Sequence, residues 1–280
     1  MTDNNNNSLP QSPICLFDSG LGGLTVLKKL ITTFPNESYI YLADLANVPF
    51  GDKSKSEIKE IATNIIEWLN KFNPKVIIMA CNTSSAVLRE QGRINPAPTI
   101  PIHGIIESCA KEIAKSNYKK VSVWATKLVV ENNGYKHAIQ KHNSDIEIEE
   151  IACPKLVPMI EGLSSSQNDK KEIIKEYIDK ISNDSEALIL GCTHYPLIQS
   201  EIKELRNIKI IDPTDSLISN LSPSTKGGPA YGGQSSVISP SKITLYATAQ
   251  VEKLEKFAKL YLMRDFEIKA VSIKRVSIAS

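Results

Sequence analysis

The sequence predicts an α/β protein made of two related, open domains with mostly parallel sheets. Three observations carry that expectation. Short apolar runs rich in β-branched residues alternate with amphipathic stretches, as strands joined by covering helices do. Two of these runs, 76–80 and 187–191, share one construction: a strand apolar enough to be buried on both faces, then a cysteine, then polar residues opening a helix. Each is also preceded by another strand with a polar end, Phe17-Asp18-Ser19-Gly20 before Cys81 and Val123-Trp124-Ala125-Thr126 before Cys192.

In chain order, residues 14–17 read as a strand and 24–34 as a helix with Leu24, Leu27 and Leu30 on one face. Gly20, Gly22 and Gly23 lie between them. They lack a P-loop lysine and dinucleotide spacing, so they suit a small anion or ammonium held close to backbone as well as a phosphate. Residues 39–42 are a strand ending at Ala43-Asp44, Asn47-Val48-Pro49-Phe50-Gly51 a tight loop, and 56–72 a long helix. After Cys81, Asn82, Thr83 and Ser84 offer N-cap chemistry to a helix opening at Ala86-Val87-Leu88.

Residues 100–103 form a strand, 105–115 a helix, 121–124 a strand, and a helix runs from there to about residue 140. The alternation at 146–151 fits a half-exposed strand, and 154–162, which contains Glu161, is short and irregular. A helix at 169–181 precedes the strand of Cys192, and Pro196 suits the first turn of the helix after it. Residues 208–211 are a strand ending at Asp212-Pro213, 243–246 a strand, 251–262 a helix and 266–273 a last β segment. Residues 1–12, polar and Asn-rich, read as a disordered tail, and 222–241, rich in Ser, Gly and Pro, as a mobile loop. The expected division is a first domain of 13–102 plus 213–280 and a second of 103–212.

Composition excludes several classes. A net charge of +2 from 33 basic and 31 acidic residues gives no electrostatic case for nucleic acid or membrane partners. No apolar run approaches the ~18 residues of a transmembrane helix, and the N-terminus lacks the apolar core of a signal peptide. The expected location is the cytoplasm, where five cysteines are mostly reduced thiols rather than a disulfide framework.

Cys15, Cys109 and Cys153, inside a strand, a helix and an Ala-Cys-Pro turn, read as small buried hydrophobes. Cys81 and Cys192 do not, because strand C-terminal ends are where open α/β sheets bind ligands, and helix N-termini favour anions and lower thiol pKa values. A redox pair lacks Cys-x-x-Cys, and a zinc site from Cys81, Cys192, His194 and Asp18 has unusual spacing. Proton transfer at a carbon is a further reading. A Cα–H beside a carboxylate is a very weak acid, and inverting the centre needs a base on one face and an acid on the other. One thiolate and one thiol do this symmetrically, with Asp18 a partner for Cys81 and His194 for Cys192.

Five motifs in order resemble the cofactor-independent glutamate racemases over nearly the whole chain. They are Phe17-Asp18-Ser19-Gly20-Leu21-Gly22-Gly23, Val48-Pro49-Phe50-Gly51, Ala80-Cys81-Asn82-Thr83, Val157-Pro158-Met159-Ile160-Glu161 and Leu190-Gly191-Cys192-Thr193-His194-Tyr195-Pro196-Leu197. The resemblance implies two α/β domains with the active site in the cleft between them, and no pyridoxal phosphate or metal. It implies Cys81 and Cys192 as the acid–base thiols, Asp18 and Ser19 touching substrate with Asp18 assisting Cys81, and His194, backed by Glu161, assisting Cys192. Asn82, Thr83 and Thr193 would bind the α-amino acid end, and the backbone at Phe50-Gly51 with the Thr126 hydroxyl the side-chain carboxylate. It further implies a homodimer supplying D-glutamate for peptidoglycan. The chain departs from the family pattern at Asn47, usually Arg, at Phe50, usually Tyr, and at Ala125, Val129 and Asn132, usually Gly, Thr and Ser. Two other readings stay open: a racemase of the superfamily acting on aspartate or another amino acid, and a non-catalytic amino-acid-binding module.

Overall fold

The computed structural model describes residues 12–89, 100–162, 167–221 and 242–273. The expected loop 222–241 and all of the expected tail except Ser12 lie outside the described residues.

The first half runs β1 (Ile14–Asp18), α1 (Gly23–Thr33), β2 (Tyr39–Ala43), α2 (Lys55–Asn70), β3 (Val76–Met79), α3 (Asn82–Arg89), β4 (Ile102–Gly104) and α4 (Ile105–Ile113). The second runs β5 (Lys120–Ala125), α5 (Lys127–Glu131), α6 (Gly134–Gln140), β6 (Glu147–Ala152), α7 (Leu156–Ile160), α8 (Gln167–Ile178), β7 (Ala187–Gly191), α9 (Gln199–Leu205), β8 (Lys209–Ile211) and α10 (Pro213–Leu221). The chain then adds β9 (Ile243–Ala247), α11 (Val251–Leu262) and β10 (Glu267–Ala270).

All pairings among these strands are parallel. The orders are β10-β9-β2-β1-β3-β4 and β6-β5-β7-β8. Stripped of β9 and β10, the first sheet has the order of the second, so β1 matches β5 and β3 matches β7. The duplication expected from the two cysteine motifs is therefore present in the topology. The equivalent helices α4 and α10 pack on each other.

Burial explains the near-continuous apolar strands. Alternate residues of β1 and β3 point to opposite faces. Ile14, Leu16 and Ile78 join Val121, Val123 and Ile189 of the second sheet in one core shared by both halves. Cys15, Phe17, Ile77 and Met79 point the other way, into a core with Ala62, Ile65 and Leu69 of α2. Leu188, Leu190 and Trp124 turn to Tyr177 and Ile178 of α8.

Local chemistry sets the helix starts. Ser54 and Glu57 form a reciprocal capping box before α2: the Glu57 N–H donates to Ser54 Oγ at 3.3 Å, and the Ser54 N–H to Glu57 Oε2 at 2.9 Å.

Three differences from the sequence reading have local causes. The helix expected to run to residue 140 breaks into α5 and α6, because Asn133 takes a left-handed conformation that Asn tolerates. The stretch 154–162 is not wholly irregular: it holds α7, whose Pro158 lies in the first turn, where its missing N–H costs nothing. Helix α10 was absent from the expected elements, although Asp212-Pro213 announces it. Asp212 Oδ1 accepts from the Thr214 N–H at 2.9 Å, and proline fits a first helical position. Among the described residues no helix is long and apolar enough to cross a membrane.

Candidate active site

Cys81 follows β3 and Cys192 follows the equivalent β7, and both line one cavity of about 410 Å³ at the join of the two halves. All five cysteines are free. Of the other residues expected in the site, Ser19, Phe50, Gly51, Asn82 and Thr83 line the cavity from the first half. Thr126, Glu161, Thr193 and His194 line it from the second. Asp18 lies behind this wall, fully buried.

Burial, not the helix start, dominates Cys81. The residue is only 4% exposed, and its thiol donates to Ser19 Oγ at 3.8 Å. Loss of water pushes the thiol up to about 11, the Asp18 charge adds to this, and the Ser84 N–H and Ser19 hydroxyl pull the other way. The sequence reading expected the helix N-terminus to lower this pKa. Desolvation outweighs one backbone N–H, so Cys81 is a thiol at neutral pH.

Asp18 Oδ2 accepts from the N–H groups of Gly20 and Gly23, both at 3.0 Å, and Oδ1 accepts from Thr193 Oγ1 at 3.3 Å. It therefore reaches Cys81 through its charge and bonds instead to the residue after Cys192. Burial raises its pKa, against the nearby His194 charge and these hydrogen bonds. Thr25 Oγ1 donates to the Thr193 carbonyl at 2.9 Å, a second tie between the halves.

On the other thiol's side, His194 Nδ1 lies 3.8 Å from Cys192 Sγ and Nε2 lies 3.0 Å from Glu161 Oε1. Burial works against a charged imidazole here. The sulfur and the Glu161 carboxylate outweigh it, with Asp18 adding, and push His194 up to about 10. At neutral pH both ring nitrogens then carry protons to donate. The His194 hydrogen bond holds Glu161 down to about 2 against its burial, with Lys253 helping.

The remaining polar groups look into the cavity. Asn82 Oδ1 accepts from the Tyr135 hydroxyl at 2.6 Å, while its buried Nδ2 has no hydrogen-bond partner among the described residues. An unmade buried bond costs ~1–3 kcal/mol. Thr83 and Thr126 hydroxyls, one from each half, stand 3.1 Å apart. Phe50 packs with Ile58, Val87 and Leu128 beside Cys81 and gives this end an apolar wall. Val129 is fully buried in the core beside Gly134 and is not part of the cavity wall. The zinc alternative needs Cys81, Cys192, His194 and Asp18 gathered about one point. Among the described residues no cluster of three or more such donors could hold a metal ion.

Two contacts had no sequence signal. Lys253 of α11 lines the cavity and donates to Glu161 Oε2 at 2.7 Å. The Tyr135 contact that orients Asn82 spans 53 positions of chain.

Gly22 serves close approach. A Cβ there would stand 2.3 Å from Thr193 Oγ1 and 2.5 Å from His194 Nδ1, nearer than atoms can come. Gly22→Ala is therefore expected to displace His194 from Cys192 and to lower kcat by ~10²-fold or more. Turnover near that of the unsubstituted protein would show that this packing does not position the imidazole.

Comparison with known proteins adds three findings. The family description "Asp/Glu/Hydantoin racemase" matches residues 21–221. The chain is 39% identical over 211 residues to a glutamate racemase of Fusobacterium nucleatum, covering 73% of this chain and 78% of that protein. It is 32% identical over 274 residues to glutamate racemase 3 of Caldanaerobacter subterraneus, covering 94% and 96%. Among solved structures, the glutamate racemase of Francisella tularensis in complex with D-glutamate superposes with a TM-score of 0.81 at 32% identity, covering 94% of this chain and 98% of that one.

Proposed function

Because the chain belongs to the Asp/Glu/hydantoin racemase family and interconverts L- and D-glutamate, we propose that Cys81 and Cys192 are its two acid–base groups. The observation that carries this reading is the placement of the two thiols, on equivalent strand ends of the two halves, in the wall of one cavity.

In one direction the Cys192 sulfur, as thiolate, removes the Cα proton from one face, and the Cys81 thiol gives its proton to the other. Protons balance: Cys192 ends as thiol and Cys81 as thiolate, so the enzyme is then set for the reverse reaction. His194, charged at neutral pH, answers the negative charge of a Cys192 thiolate, and Glu161 orients it. Asp18 ties Gly20, Gly23 and Thr193 together behind the cavity wall, and its charge keeps Cys81 protonated until substrate arrives.

Ser19, Asn82, Thr83 and Thr193, all in the cavity wall, take the α-amino and α-carboxylate groups. The backbone of Phe50 and Gly51 and the Thr126 hydroxyl take the side-chain carboxylate. The chain acts as two domains divided near residues 102 and 212, a division that gives α4 to the second domain and α10 to the first, in a cytoplasmic homodimer. The D-glutamate formed serves peptidoglycan, the family's role.

The test is incubation of L-glutamate in D2O with no added cofactor. Optical rotation should vanish while one solvent deuterium enters Cα. A requirement for pyridoxal phosphate or a metal, or a higher kcat/KM for aspartate than for glutamate, would overturn the mechanism or the substrate respectively.

A further inference from the structure

We propose that Lys253 is a positioning residue for the Cys192 half of the reaction, holding Glu161 from the other half of the fold so that His194 stays aimed at the sulfur. This rests on the reading of Cys192 and His194 as an acid–base pair.

Four side chains stand in line. Lys253 Nζ is 2.7 Å from Glu161 Oε2, Glu161 Oε1 is 3.0 Å from His194 Nε2, and His194 Nδ1 is 3.8 Å from Cys192 Sγ. The first member comes from a different half. Lys253 lies in the first turn of α11, which follows β9 of the first sheet, whereas Glu161 ends α7 beside the second sheet. The ion pair therefore crosses the cavity wall that both residues line.

As a source of stability the pair counts for little. Lys253 is 40% exposed, and such pairs are worth ~0–1 kcal/mol. Its effect on geometry is larger. Glu161 follows α7 directly and precedes Gly162, which turns with a φ of +81° and has nothing within 4 Å of a Cβ position among the described residues. Only one carboxylate oxygen faces His194, and Lys253 holds the other. Without that cation the carboxylate is free to turn toward water, and His194 loses the partner that fixes its ring and supports its charge.

The groups that act most strongly on His194 are Cys192, Glu161 and Asp18, and Tyr41 stands near enough to Glu161 to feel its charge. Lys253 works on the imidazole through Glu161. By charge alone the loss of a cation favours the imidazolium, but the carboxylate it releases turns from Nε2, and losing that 3.0 Å hydrogen bond outweighs the charge, so the imidazolium should lose its proton at lower pH.

The experiment compares Lys253→Met, Lys253→Arg and, as a control on the same helix, Lys256→Met, with Cys192→Ser run in parallel. Lys253→Met should lower kcat by roughly 10-fold, less than the ~10²–10⁴ of removing an acid–base group itself. KM should change little, the alkaline limb of the kcat–pH profile should move to lower pH, and thermal stability should hardly move. Lys253→Arg should restore both rate and profile, and Lys256→Met should match the parent protein. An alkaline limb unmoved, or moved to higher pH, in Lys253→Met overturns the proposal whether or not kcat falls. So does a loss that arginine does not rescue. If Cys192→Ser itself retains full turnover, the acid–base reading of Cys192 fails first, and that outcome is distinct from a neutral Lys253.

Discussion

Cys81→Ser and Cys192→Ser are each expected to cut glutamate racemisation by ~10³-fold or more, within the upper range for loss of an acid–base group. Serine fits either position, since Cys81 is 4% and Cys192 7% exposed and the two side chains are close in size. The fold should survive, and circular dichroism with a thermal melt would check that. What is lost is a sulfur, whose thiolate is a far more accessible base than the alkoxide of a serine hydroxyl. Either variant retaining most of the parent kcat would end the two-thiol mechanism.

The pH dependence of the parent protein has a definite sign. Cys81 acts as the acid in one direction, and that form is lost as pH rises through about 11. The His194 proton is lost earlier, as pH rises through about 10. The enzyme's contribution to the alkaline limb of kcat/KM, which reports the free enzyme, should therefore begin near pH 10. In the other direction Cys81 must act as a thiolate. The α-ammonium group of a bound amino acid, if within ~4–6 Å of the sulfur, favours that form.

The second large effect is expected from Asp18→Asn and His194→Asn, each lowering kcat by ~10²–10⁴-fold. In Asp18→Asn the new carboxamide oxygen can still accept from the Gly20 and Gly23 N–H groups, so the change is mainly one of charge. His194→Asn removes the group between Cys192 and Glu161. Enantiomers are equal in free energy in water, so kcat/KM must fall by the same factor in both directions. The unequal placement of the two residues can show only as unequal changes in kcat, with KM compensating. Polarimetry from both pure enantiomers reads this directly. Small changes confined to KM would assign both residues to uniform binding instead.

Much of the site was legible because it is written in neighbouring residues. The apolar run ending at Cys81 and its copy ending at Cys192 specify a strand and a stop within about ten positions, whereas the helix after Cys81 starts at Asn82 rather than Ala86 and a 3-10 turn at Tyr195–Ile198 comes before α9. That is why both thiols, the polar ends at Asp18 and Thr126, and the alternating α/β order could be read directly. The half-repeat was visible for the same reason, as one local pattern occurring twice, although only the matching strand orders establish it.

Where local patterns compete, the reading was weaker. The Ser/Asn-rich α10 and the Pro-containing α7 carry low helix propensity, and packing decides them. Only the tertiary structure could decide the rest. Gly22 must be glycine because Thr193 and His194, far along the chain, come to rest against it. Thr25 meets the Thr193 carbonyl across 168 positions, and Lys253 meets Glu161 across 92. Cys81 titrates high rather than low because the shared fold removes water around it, a property of three-dimensional burial that no spacing along the chain encodes.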